Sequence, residues 1–435
     1  MVSRKHWLAS VAGLAAVGLV AACGGGSGGG TSTGDGGGST GGDGGGEQVT
    51  LEFQQWWEPE LPSGEFRALI DKFEAENPGI KVELLSGPYA STKEQVIASA
   101  AAGTMPDVVG LDGAWVYDFA KQGSIADLTA LMSEFGYDDS ELASQIQVDG
   151  ATYMIPVVNF VYPLYTNDAL LADAGVTSIP SNRSEFSAAA QKIKDATSQP
   201  GWIFPLSLEQ PSGIQNNVMS WVWASGGSML KDGQPDLTND DVSSAMAFLQ
   251  QLWDDGVTAP GAFTMKEQDM VEEFTNGRVG MMIDSLAHIN LIREANPDLE
   301  FSISAIPAQD GYDGERGIPY ASWGIGVADN SDHKEEAWKL VSFLMSESTN
   351  SELSTMANAF PGNVGSKPDF ADADPLIEKA FEIYQAGYPA NEFTGLPVAE
   401  ELMRQFSQEF QKALNGDQPM EDALANAQKS WEAEF

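Results

Sequence analysis

Residues 49–85, VTLEFQQWWEPELPSGEFRALIDKFEAENPGIKVELL, decide the architecture. Residues 49–53 read as a strand that runs into the Trp56-Trp57 pair. Phe66, Leu69, Ile70 and Phe73 then recur at i, i+3, i+4 and i+7, the spacing of an amphipathic helix, and Asn77-Pro78-Gly79 stops it. Ile80, Val82 and Leu84 alternate with polar neighbours, the period of a half-buried strand. The pattern then repeats, with an Ala-rich helix at 91–102, Gly103 as its stop and a short apolar strand at 107–111. A β-α-β-α-β order uses helices as crossovers, so it predicts a mostly parallel sheet covered by helices.

Downstream, residues 154–158 and 164–165 bracket a crossing between two domains. Val242, Ala245, Met246, Leu249, Leu252 and Trp253 share one helical face, and 277–283 returns as a strand. Residues 324–328 form a strand leading into a helix whose Ala337, Leu340, Val341 and Leu344 lie together. Two more helices, at 399–414 and 420–431, close an α/β chain whose pieces look discontinuous.

The N-terminus reads differently. Arg4 and Lys5 precede a small, apolar run at 7–22, too short at 16 residues to span a bilayer and patterned as a secretory signal. Val20-Ala21-Ala22-Cys23 resembles the lipobox of bacterial lipoproteins, which implies cleavage before Cys23 and a diacylglycerol on its thiol. Cys23 is the only cysteine, so an internal disulfide is excluded. Behind it, 24–46 holds 15 glycines, a flexible leash of about 24–29 Å. Residues 1–22 are thus read as a signal peptide and 23–47 as the lipidated cysteine with its linker.

The formal net charge is −41, and loss of Arg4 and Lys5 with the signal leaves the remainder more acidic still. Nucleic acid and anionic lipid are held by Lys and Arg, so this balance argues against both, with contact to the membrane through the lipid anchor only. Neutral or cationic ligands and solubility outside the cell fit it, although a solvated acidic surface accounts for the charge equally well.

Several segments together resemble the extracellular solute-binding proteins of carbohydrate ABC importers: FEAENPGIKVELL (73–85), IASAAAGTMPDVVGLDGAWVYDFAKQGSIADL (97–128), MIPVVNFVYPLYTNDALLADAGV (154–176), FTNGRVGMMID (274–284) and WGIGVADNSDHKEEAWKLVSFL (323–344). The resemblance implies an α/β, two-lobed periplasmic-binding-protein-like fold with discontinuous lobes joined by a hinge. Lobe one would be 48–157 plus 324–368 and lobe two 158–323 plus 369–435. It also implies a monomer without catalysis, a sugar in the interlobe cleft, and delivery to ABC permease subunits at the outer face of the cell membrane. After Ile283, where the family commonly offers a Trp, this chain has Asp284-Ser285-Leu286-Ala287-His288.

A sugar presents C–H patches on its ring faces and hydroxyls at its rim, which call for aromatic faces and planar carboxylates or amides. Trp56, Trp57 and Glu58 follow the first strand and Asp112 with Trp115 the third; ligands of open α/β sheets lie beyond the carboxyl ends of strands, which among these favours Trp57, Glu58 and Asp112. Asn159 and Tyr162 flank the first crossing, Trp221 and Trp223 precede Gly226-Gly227, and Asp284 follows its strand. Trp323 and Asn363 belong to the return crossing. Trp253, Trp338 and Trp431 sit in helical periodicity and are expected in the core.

With His288 and His333 the only histidines beyond the signal, neither a transition-metal site nor any cofactor is expected. Three alternatives to a sugar remain on the same scaffold: a polyamine, a peptide or a glycerophosphodiester. A secreted glycoside hydrolase is the alternative from another class, and abundant Asp and Glu do not discriminate it.

Overall fold

The computed structural model describes residues 48–371 and 374–435; the signal, Cys23 and the glycine-rich leash lie outside them. Strands β1 (Val49–Gln55), β2 (Ile80–Ser86) and β3 (Val108–Leu111) alternate with helices α1 (Glu65–Glu76) and α2 (Tyr89–Ala102) in the expected order. β1 pairs in parallel with β2, from Val49 opposite Ile80 to Gln55 opposite Ser86, and in parallel with β3 at Phe53 and Val108. α1 buries the four periodic residues Phe66, Leu69, Ile70 and Phe73.

Among the later strands, those that position the site are β4 (Ala151–Val161), β5 (Leu164–Asn167), β6 (Met281–Ile283), β7 (Phe301–Ser304) and β8 (Arg316–Val327). β8 runs antiparallel to both β3 and β4 and its start pairs in parallel with Gly387–Ala390, so the larger sheet is mixed. The difference from the expected parallel sheet arises because β8 returns from the second half of the fold and β4 folds back on the short strand Ile146–Val148 through a turn at 149–150, so neither enters through a crossover helix. β5 pairs antiparallel with β6 and with β7 to form a separate three-stranded sheet. The strand expected at 277–283 is shorter than its apolar pattern suggests. Gly277 and Arg278 instead donate their amides to Phe274 and Glu273 and close the preceding helix.

The remaining helices used below are α3 (Asp240–Asp254), α4 (Glu267–Thr275), α5 (His288–Ala295), α6 (Lys334–Leu344), α7 (Ala399–Leu414) and α8 (Met420–Trp431). α3 and α6 bury their predicted faces. α7 packs on α8 and both pack on α3, with Trp431 Nε1 donating to the Leu402 carbonyl at 2.9 Å. Trp338 and Trp431 are buried, and the half-buried Trp253 stacks on Phe263 at 5.1 Å. Among the described residues no helix is long and apolar enough to cross a membrane.

Candidate ligand-binding site

A cavity of about 520 Å³ opens between the larger sheet and the elements around the smaller one. Its first wall grows from strand ends. β1 stops at Gln55, whose side-chain oxygen accepts the Glu58 amide at 2.9 Å, and the turn through Pro59 that follows puts Trp56 and Glu60 on the cavity. β3 delivers Asp112, which accepts the Ala114 amide at 2.9 Å and the Tyr89 hydroxyl at 3.2 Å. β4 and β8 add Phe160 and Trp323, and Tyr162 follows directly after β4.

The opposite wall is polar. A turn and a short π-helical stretch, Ile214–Met219, supply Gln215 and Asn216, with Gln210 just before them. The wider π turn is common at functional sites because it redirects side chains without ending the helix. α4 begins at Glu267, α5 at His288 and α7 carries Glu400, so three helix starts converge here. Glu400 is fixed by Lys93 Nζ at 2.5 Å and by Trp115 Nε1 at 3.3 Å.

The electrostatics centre on His288. β6 ends in Asp284, which is 0 % exposed and meets His288 Nδ1 with its two oxygens at 3.0 and 2.9 Å. Burial works against the imidazolium, but Asp284, joined by Glu60 and Glu267, outweighs it and raises His288 to about 10. Burial also pushes the Glu60 and Glu267 carboxyls up to about 7; His288 opposes the rise and Asp284 adds to it. Asp112 is raised as well, chiefly by burial. The cavity therefore offers aromatic faces, amides and a dense set of carboxylates.

Comparison with known proteins places the fold. The sequence model of the bacterial extracellular solute-binding protein family matches residues 59–350. The chain belongs to that family. A Brucella abortus (strain 2308) protein named only as a binding protein is 32 % identical over 303 residues, covering 68 % of this chain and 72 % of the relative. The multiple sugar-binding protein of Streptococcus mutans is 23 % identical over 313 residues, covering 68 % and 71 %. Among solved structures, maltose-bound T. maritima MalE3 superposes with a TM-score of 0.74 at 22 % identity, over 89 % of this chain and 100 % of the other. The fold is thus the mixed α/β, two-domain fold of maltose-binding-protein-like periplasmic binding proteins. Members of the family are binding proteins rather than enzymes.

Within this solute-binding fold, Trp56, Asp112, Tyr162 and Trp323 reach the cavity. Three other expected residues stand directly behind lining ones. Trp115 packs against Trp56 and Tyr89 at 5.7 and 5.4 Å, Asn159 accepts the Ser322 hydroxyl at 2.7 Å, and Asp284 holds His288.

The remaining five lie off the cavity. Trp57 turns into the core, where it stacks on Trp323 at 5.6 Å and meets Phe53 edge-on. Glu58 accepts the Ser86 hydroxyl beside the end of β2. Trp221 is enclosed by Phe186, Trp202 and Phe248, and Trp223 donates Nε1 to Glu392 at 2.7 Å. Asn363 is a buried brace that donates to the Met345 carbonyl at 2.8 Å and accepts the Gly365 amide at 2.7 Å.

Sequence reasoning missed Glu60, Tyr89, Gln210, Gln215, Asn216, Glu267, His288 and Glu400. The one signal available for them was the amide-rich, non-periodic run SLEQPSGIQNN at 207–217, an irregular polar segment in front of an apolar helix.

Proposed function

We propose that this solute-binding protein is the saccharide receptor of an ABC importer, taking a di- or oligosaccharide into the cavity and passing it to permease subunits in the same membrane. One observation carries the reading: a single cavity combines the Trp56, Tyr89, Tyr162 and Trp323 rings with the Asp112 carboxylate and the Gln210, Gln215 and Asn216 amides. Rings cover the apolar faces of a sugar, and the planar polar groups orient its hydroxyls. The cavity volume of about 520 Å³ lies inside the usual range for small-molecule sites.

In this reading lobe one is 48–157 plus 324–368 and lobe two is 158–323 plus 369–435, with β4 and β8 carrying the chain between them and a hinge motion closing the cleft. The Lys93–Glu400 ion pair then ties the two lobes beside the ligand. Lipidation of Cys23 anchors the receptor on the outer face of the membrane, and the leash lets a monomer reorient to dock on its permease. A disaccharide of about 23 heavy atoms at roughly 0.3 kcal/mol per atom gives ~7 kcal/mol, a micromolar dissociation constant.

The test is a thermal-shift screen against mono- and disaccharides, maltooligosaccharides, polyamines and glycerophosphodiesters. A saccharide is expected to raise Tm, because a ligand that binds only the folded state stabilises it by mass action. Trp56→Ala and Asp112→Ala should each weaken that saccharide by about tenfold or more without changing the far-UV circular dichroism, and the sugar should be recovered unchanged. A shift given only by a polyamine or a phosphodiester would sink the saccharide assignment.

A further inference from the structure

The charge of the cavity is one-sided. Glu60, Asp112, Glu267, Glu272 and Glu400 line it, and among the described residues that line it there is no lysine or arginine. Two of these carboxylates are already answered: Glu400 by Lys93 and Trp115, and Asp112 by the Ala114 amide and the Tyr89 hydroxyl. The single imidazolium, His288, is paired with Asp284 and also lies within 4.8 Å of a Glu267 oxygen, so one positive charge is shared among Asp284, Glu60 and Glu267 and offsets the two glutamates only in part.

Glu267 accepts no hydrogen bond and makes no ion pair among the described residues, and Glu60 meets only the Trp323 indole. Two further groups wait on the same cavity. The Gln210 amide, on a residue 5 % exposed, and the Tyr162 hydroxyl, on one 9 % exposed, have no hydrogen-bond partner among the described residues.

A neutral ligand entering this space would strip water from Glu60 and Glu267 while returning only neutral hydroxyl donors. An ammonium would return charge as well, and the surrounding ring faces attract a cation in their own right. We propose, building on the saccharide reading above, that the sugar taken by this cavity carries a basic amine, protonated at neutral pH, that docks against the Glu60 and Glu267 carboxylates with an aromatic face beside it. Gln210 and Tyr162 then serve the hydroxyls. The elevated titration of both glutamates fits a site whose counter-charge arrives with the ligand.

A divalent metal is the competing cation, since one ligand atom each from Glu267, Asp284 and His288 lie within 4.8 Å of one another. It would have to displace the proton that His288 shares with Asp284, so the ammonium is favoured.

The decisive experiment is isothermal titration of the purified protein at neutral pH with three β-1,4-linked disaccharides differing only at C2: the glucosamine dimer, its N,N′-diacetyl form and cellobiose. Free glucosamine, trehalosamine, spermidine and Zn²⁺ alone complete the panel. An amine sugar is expected to bind at least about tenfold tighter than its neutral counterpart, with an affinity that falls as salt rises. In the Glu60→Gln, Glu267→Gln double variant that preference should shrink to about twofold, with an unchanged circular dichroism spectrum and an unfolding temperature no lower than the parent's. A neutral sugar that binds as tightly as its amine analogue overturns the amine and leaves the saccharide receptor standing. If Zn²⁺ or spermidine binds and no sugar of either kind does, both readings fall together.

Discussion

Asp284 and His288 make one unit out of two residues four apart. The carboxylate is wholly buried, and the imidazole lies over it with both oxygens within 3.0 Å. Taking the imidazole away leaves a charge with no compensation in the protein interior, which costs about 3–5 kcal/mol in comparable buried pairs. His288→Ala should therefore lower the urea midpoint sharply, whereas Asp284→Asn combined with His288→Gln should cost clearly less than the two single changes added together. Equal, additive losses would mean that the two side chains do not act as a pair.

The same scale shows what could be read in advance. Trp56 and Trp57 are adjacent and lie just past the end of β1, where Trp57 already has a helical backbone, so the alternation of a strand does not fix which of them faces the cavity. The sequence marks both as candidates and favours Trp57, whereas the structure turns Trp56 to the cavity and packs Trp57 on Phe53, Phe66 and Trp323. His288, Glu60 and Glu267 come from three distant segments, and no local pattern brings them together.

At the scale of the element, helices were legible and long strands were not. α3, α7 and α8 lie where their apolar spacing places them, because a helix half exposed to water must sort its residues every three to four positions. β4 and β8 are buried along most of their length and so lack alternation, and they extend well beyond the segments recognisable at 154–158 and 324–328. The polar wall of the cavity depends on an element that periodicity could not reveal. Gly213 leads into the π-helical stretch so close to Pro205 that a Cβ there would lie 1.8 Å from the Pro205 carbonyl oxygen and 2.9 Å from its carbon. Gly213→Ala must push the whole stretch away and carry Gln215 and Asn216 with it. The expected result is a loss of roughly 1–3 kcal/mol in stability together with at least about tenfold weaker ligand binding. A variant that binds as the parent does would show that Gln215 and Asn216 are not contacts.

For the whole molecule, the cavity sets a pH dependence that its surface alone would not. Unfolded carboxyls titrate near 4.5, whereas Glu60 and Glu267 hold their protons to about 7 when folded. Between those values the folded state binds more protons than the unfolded one, so stability declines as pH rises. His288 continues the trend: its pKa is raised from 6.5 to about 10, so its contribution is complete below 6.5 and lost as pH climbs through 10. Asp112, raised by burial, acts in the same sense, while Glu74 and Glu409, where burial is outweighed by hydrogen bonds from basic and neutral donors and the carboxyl is lowered, work the other way only in more acidic solution.

The ligand-free protein should thus melt highest near pH 5 and progressively lower toward pH 9. A net charge of −41 produces a similar slope through general repulsion, so the two causes must be separated. About 0.5 M NaCl screens exposed charges and leaves buried ones largely untouched. In that salt the parent should keep its decline between pH 5 and 7.5, and the Glu60→Gln, Glu267→Gln variant should lose most of it and melt roughly 2–5 °C above the parent at pH 7.5. If salt alone flattens the parent's curve, the dependence belongs to the acidic surface, and the cavity carboxylates are hydrated well enough to need no cation from a ligand.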